Sequence, residues 1–184
     1  MKSPSPTSRP CAPLAAALLC VSLATPAAVP AEELVGSVTR EEIEAAHPDW
    51  VQAEVAAAPD AAAAQALAAV PPGAEVTVVL GTWCSDSARE VPRLWRSLDE
   101  AGGEVPFALR YVAIDEEKKA PAEPIAHFAI EFVPTVIVVR EGHEVGRIVE
   151  VAPHGIEKDL LALLTGMAHG VLSASRPAEA PQSR

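Results

Sequence analysis

Trp83-Cys84-Ser85-Asp86-Ser87 decides how this chain is read, because a β-branched run ends just before it and a helical pattern opens just after it. Upstream, Glu75-Val76-Thr77-Val78-Val79-Leu80 has the composition and length of a buried strand and stops at Gly81. Downstream, Val91, Leu94, Trp95 and Leu98 fall at helical spacing between Asp86 and Ala101, and Gly102-Gly103 supplies the stop. The spacing therefore predicts a strand-to-helix turn with Cys84 at a helix N-terminus. Backbone N–H groups without helical partners, and the positive end of the helix dipole, face such a position. Both favour a thiolate, and cysteines so placed have pKa values lowered from about 8.5 to roughly 3.5–7.5.

Each residue here also has a plainer reading. Free cysteine is among the most buried residue types, so Cys84 is read either as a reactive thiol or as a small core hydrophobe. Ser87-Ala88-Arg89-Glu90 has the form of a capping box, with Ser87 as cap and Glu90 reaching back. The alternative for Ser87 is a hydroxyl bonded to the Cys84 thiolate. Asp86 complements the helix dipole but, as a neighbouring negative charge, opposes thiolate formation. Arg89 is placed to offset it, or to pair with Glu90.

Working outward, Thr39-Arg40-Glu41-Glu42 predicts a capped helix ending near His47-Pro48. Asp60 caps a second, alanine-rich helix through Val70, closed by Pro71-Pro72-Gly73. Beyond the central helix come a strand over Ala108 to Ile114, a short helix around Glu123 to Ile130, and a β-branched strand from Thr135 to Val139. A turn at Glu141-Gly142, a strand over Glu144 to Val151 and a helix over Ile156 to Leu164 complete the pattern. Strands alternating with helices, followed by a hairpin and a helix, give an α/β fold: a mixed sheet flanked by helices. No internal repeat is present.

The chain has 184 residues, enough for one domain with additional segments. Lys2 and Arg9 precede the apolar stretch Leu14 to Val21, and Val29-Pro30-Ala31 before Glu32 fits a signal-peptidase site. Such a leader implies export to the periplasm or the extracellular space. The stretch is short for a membrane span, so a retained anchor is the secondary reading, and the mature form is expected to have no span. Leu19 before Cys20 argues against lipidation. The organisation is a leader at 1–31, a helical extension at 32–73, the α/β domain at 74–170 and a Pro/Ser/Ala-rich disordered tail at 171–184. Removal of the leader takes Cys11 and Cys20 with it and leaves Cys84 unpaired in an oxidising compartment.

Charge and side-chain chemistry narrow the function. Lys and Arg number 14 against 25 Asp and Glu, a formal net charge of -11, which leaves no basic face for nucleic acid. His47, His127, His143, His154 and His169 show no ligand spacing with Cys84, so no metal or resident cofactor is expected and these histidines read as surface or loop residues. Trp50 and Trp95 read as core, and Glu116-Glu117-Lys118-Lys119 as a solvated loop.

Over roughly residues 76–164 the chain resembles the thioredoxin superfamily. Trp83-Cys84-Ser85-Asp86-Ser87 is similar to that family's WCxxC motif, with the second cysteine replaced by Ser87. Pro92 lies where thioredoxins kink the following helix, Val133-Pro134-Thr135 matches the cis-proline tripeptide, and Glu141 to Val145 matches the terminal hairpin turn. The resemblance implies a thioredoxin-like sheet, Cys84 as attacking thiol with Trp83, Asp86 and Ser87 beside it, and substrate binding at Val133, Pro134 and Thr135. It also exposes losses. The family's buried carboxylate falls on Val78 and its lysine partner on Tyr111, so the proton-relay pair is missing along with the resolving thiol.

The function implied is that of a monothiol oxidoreductase or isomerase that forms mixed disulfides with protein thiols or disulfides at Cys84. Ser87 cannot resolve them, so glutathione or another external thiol is the expected co-substrate. The alternative is a redox-silent module that holds an extended peptide by strand pairing. Metal delivery is disfavoured by the missing second thiolate.

Overall fold

The computed structural model describes residues 33–117 and 125–175. The expected leader with Cys11 and Cys20, the pair Lys118-Lys119, the start of the helix expected at Glu123 and the far part of the tail lie outside the described residues. The extension contributes β1 (Gly36–Val38), α1 (Arg40–Ala46), α2 (Pro48–Ala56) and α3 (Ala61–Ala66), which tightens into a 3-10 turn at Leu67–Ala69. The domain continues as β2 (Ala74–Leu80), α4 (Ser85–Glu100), β3 (Phe107–Ala113), a 3-10 turn at Ala126–Phe128, β4 (Thr135–Arg140), β5 (His143–Val149), α5 (Ile156–Leu164) and β6 (Gly170–Leu172).

These strands form one mixed six-stranded sheet in the order β1-β3-β2-β4-β5-β6. β2 runs parallel to β3 through the α4 crossover, β4 is antiparallel to both β2 and β5, and β6 is parallel to β5. The α/β, thioredoxin-like class read from the sequence is thus the class observed. β2 lies at the centre and is buried along nearly its whole length. Alternate side chains therefore feed two cores. Val76, Val78 and Leu80 join the larger one with α4, α5 and the extension helices. Val79 joins a smaller one with Val112, Ile137, Phe128 and Val133 on the opposite face. That second face is covered by the 3-10 turn and the loop before β4, where a longer helix was expected.

The extension is more than the helical appendage read from the sequence. The capping box at Thr39 forms, with Glu42 N–H donating to Thr39 Oγ1 (3.2 Å) and Thr39 N–H donating to Glu42 Oε2 (2.8 Å). α1 does end at His47-Pro48, but Pro48 then opens α2 as its first residue, where the missing N–H costs nothing. Before them β1 pairs antiparallel with β3. Residues 171 and 172, assigned to the tail from composition, instead belong to β6 with Gly170. Gly146 admits that strand, since a Cβ there would lie 2.5 Å from the Gly170 carbonyl oxygen.

Candidate functional site

The site is built where β2 hands over to α4. Cys84 N–H donates to Gly81 O (3.0 Å) and Ala88 N–H donates to Cys84 O (3.0 Å), which makes Cys84 the residue that caps α4. No side chain caps this helix. The thiol is half-exposed and donates to Val133 O at 3.2 Å. Val133–Pro134 is a cis peptide bond, so the tripeptide expected to bind substrate does lie beside the cysteine. Thr135 belongs to the same turn, with its hydroxyl donating to Phe132 O (2.7 Å).

Trp83 is 38% exposed and leans over Gly81, where a Cβ would lie 2.6 Å from the indole. Its Nε1 donates to Ile114 O (3.0 Å), fixing the indole between Gly81 and the residue after β3. The extension reaches the same turn, for Leu34 N–H donates to Thr82 Oγ1 (3.3 Å).

Ser87 corrects the capping-box reading. The helix begins before it, so Ser87 is already inside the first turn, fully buried, and its Oγ accepts the Gly81 N–H at 3.3 Å. Its placement ties the turn to the helix. Asp86 pairs with Arg89 at 2.8 Å, and Arg89 also donates to Glu90 (3.1 Å), so the arginine serves both acids. Glu90 does not reach back to Ser87. It is only 6% exposed, and burial raises its carboxyl above the usual range, against the pull of Arg89, Arg93 and the Ala152 N–H.

Val78 and Tyr111, where the family's relay pair would fall, are partners in the β2–β3 register. Both are buried, and burial pushes the Tyr111 phenol up. Among the histidines, His47 is buried rather than on the surface, stacked at 5.7 Å from Trp50. His154 pairs with Asp159 (2.9 Å) and His127 lies against Phe128. Trp50 and Trp95 are core residues, and Glu116 and Glu117 are exposed. The sequence reading missed Thr82, gave Gly81 only as the end of a strand and gave Glu90 only as part of a cap. Glu90 was hidden by a local motif that resembles a cap, although an acid among apolar helix positions was a signal.

No protein-family model matches the sequence, and no curated protein matches it either. Solved structures do. A protein of unknown function from Pseudomonas aeruginosa is 18% identical, with 71% of this chain and 88% of that one covered and a TM-score of 0.49. An HIV epitope-scaffold matches at 18% identity over 70% of this chain and 78% of its own, TM-score 0.43. A mutant thioredoxin from Halobacterium salinarum matches at 16% identity over 54% of this chain and 78% of its own, TM-score 0.36. At these identities and scores the likenesses assign no activity.

Proposed function

We propose that this protein is an exported monothiol exchange protein that forms mixed disulfides at Cys84. The observation that carries the reading is a half-exposed thiol, at the uncapped start of α4, held 3.2 Å from the carbonyl of a cis Val133–Pro134 pair. The Cys84 thiol loses its proton to solvent, and the thiolate attacks one sulfur of a substrate disulfide. A new Sγ–S bond forms as the substrate S–S bond breaks, and the departing sulfur leaves as a thiolate that takes up a proton. The disulfide is exchanged with no net oxidation. An external thiol such as glutathione then attacks the mixed disulfide and frees Cys84. Isomerisation and deglutathionylation need no resolving cysteine and suit this cycle better than net reduction.

Trp83 supplies an apolar wall for the incoming substrate, and the Val133 backbone supplies strand-pairing groups once the thiol has turned to its target. Asp86, salt-bridged to Arg89, sets the local charge. The test is exposure of wild-type protein and Cys84→Ser to oxidised glutathione and to a disulfide-bonded protein, followed by intact mass spectrometry. Adducts confined to Cys84 are expected in the wild type and none in the variant. A wild type that forms no adduct rejects the reading, and full partner binding by Cys84→Ala would install the peptide-binding module in its place.

A further inference from the structure

β2 ends at Leu80, and the first amide beyond it belongs to Gly81, which is buried. A buried backbone N–H past the end of a ladder is costly unless it finds an acceptor. Here the acceptor is Ser87 Oγ at 3.3 Å, offered from inside the first turn of α4. Ser87 is 0% exposed, so bulk water does not compete for either partner. The five residues between the ends of that bond include Thr82, Trp83 and Cys84, and each of these three is tied to the frame it sets. Gly81 O accepts the Cys84 N–H at 3.0 Å, and Thr82 Oγ1 accepts the Leu34 N–H at 3.3 Å. The Trp83 indole lies against Gly81 and donates to Ile114 O at 3.0 Å, while the Ile114 N–H returns to Leu80 O at 2.9 Å.

Resting on the exchange reading above, we infer that Ser87 is a positioning residue: by accepting the Gly81 N–H it pins the end of β2 to the first turn of α4, and so fixes where the intervening turn presents the Cys84 thiol to Val133 O. The hydroxyl's place supports this role over a direct bond to sulfur. The thiol donates to Val133 O, and the serine oxygen accepts from Gly81. Alanine would suit a buried helical position at least as well by propensity, but it would leave the Gly81 N–H unpaired. The polar choice is therefore explained by the turn and not by the helix. Misplacement of a reacting group by up to about one ångström is enough to slow a bond-forming step severely. A second serine on α4 shows the contrast: Ser97 is equally buried, but its hydroxyl donates to Arg93 O (2.8 Å) within the helix and touches no part of the turn.

The experiment compares the full-length wild type with Ser87→Ala and Ser97→Ala, the same truncation at two buried sites of one helix. Three readouts are taken on each. They are the rate at which folded protein reacts at Cys84 with a chromogenic aromatic disulfide, hydrogen exchange of the Gly81 amide, and the position of the Trp83 indole N–H resonance. Ser87→Ala is expected to slow the thiol by about tenfold, to speed Gly81 exchange by about tenfold and to move the Trp83 resonance. Ser97→Ala is expected to stay within about twofold of wild type in both rates and to leave the resonance in place. Wild-type behaviour of Ser87→Ala overturns the inference, as does equal slowing by Ser97→Ala. A slower thiol with unchanged Gly81 exchange also overturns it, and would assign Ser87 to the sulfur instead. If Ser87→Ala does not fold, the wild-type Gly81 amide decides: protection from exchange supports the inference, and exchange as fast as at exposed turn amides overturns it. If wild-type Cys84 does not react with the probe, the exchange reading has failed, and the Gly81 and Trp83 readouts still decide whether Ser87 holds the turn.

Discussion

The two ends of α4 are stabilised in opposite ways. At its start stands a half-exposed thiol with one hydrogen bond and no side-chain cap. At its far end the helix is wedged into a stack of rings, His47 on Trp50, Trp50 on Trp95 and Trp95 on Tyr111, with centroids 5.7 to 6.4 Å apart. Arg40 lies over Trp95 (5.3 Å) and donates to Glu44 and Glu54 (2.6 Å each) and Asp99 (2.9 Å), joining α1, α2 and α4. The contrast shows how the thiol end of the helix can do with few side-chain contacts. The extension fixes the helix from behind, so the thiol needs few contacts of its own to be held in place.

The largest test of that division is Trp50→Ala, which removes the middle of the ring stack from a site 1% exposed. A loss of about 3–5 kcal/mol is expected in denaturant unfolding. The Cys84 reaction rate per folded molecule should change little, and a matching fall in that rate would erase the distinction between the ends. Next is Arg93→Ala. Arg93 donates twice to Glu157 (2.8 and 3.0 Å), whose side chain is buried at the start of α5, and its removal leaves that carboxylate without its charge partner at a cost of about 3 kcal/mol.

The same variant should invert a pH dependence. Burial pushes the Glu157 carboxyl up, but Arg93 and the Asp60 N–H outweigh it and hold the group below its ordinary 4.5. Its stabilisation is therefore present above that value and is lost as pH falls through the lowered one. Without Arg93 burial dominates, the group rises above its ordinary value, and stability is instead lost as pH increases through the raised one. Unfolding midpoints between about pH 3 and 7 check the change of sign.

A smaller effect is expected at the thiol end. Gly81→Ala drives a methyl into the Trp83 ring, where the gap is 2.6 Å, and should displace the indole from Ile114 O at a cost of about 1–3 kcal/mol. The Trp83 fluorescence and the Cys84 rate should both shift, whereas Trp50→Ala leaves the Cys84 rate near wild type. Smallest is Arg96→Met, with an expected loss of about 0.5 kcal/mol, because the one pair it breaks, to Glu100 at 3.1 Å, is largely exposed. Thermal unfolding measured at low and high salt would show it.

Elements with strong periodicity were legible in the sequence. α5 runs over the same residues read from its pattern, and the β-branched runs became β2 and β4 to within a residue. Short or tertiary-dependent elements were not. β1 and β6 owe their existence to the sheet edges they cover, which no local pattern records. Pro48 ends one helix and begins the next, and only the first half of that statement is visible from the sequence. In the site, the juxtaposition of Cys84 with Val133 and Pro134 was legible through the family resemblance. Ser87 and Glu90 were misassigned together because a local capping pattern lost to the turn at Gly81, which starts the helix earlier.

Both outer strands of the sheet, β1 and β6, are three residues long, while every inner strand has six or seven. Each begins at a glycine with positive φ, Gly36 at +108° and Gly170 at +76°, where the chain bends out of the extended line. A growing fibril recruits molecules by laying new backbone along an open strand, and here each margin offers only a few peptide groups before the chain turns away. That economy of edge leaves strand templating little backbone to work with at either margin of the sheet.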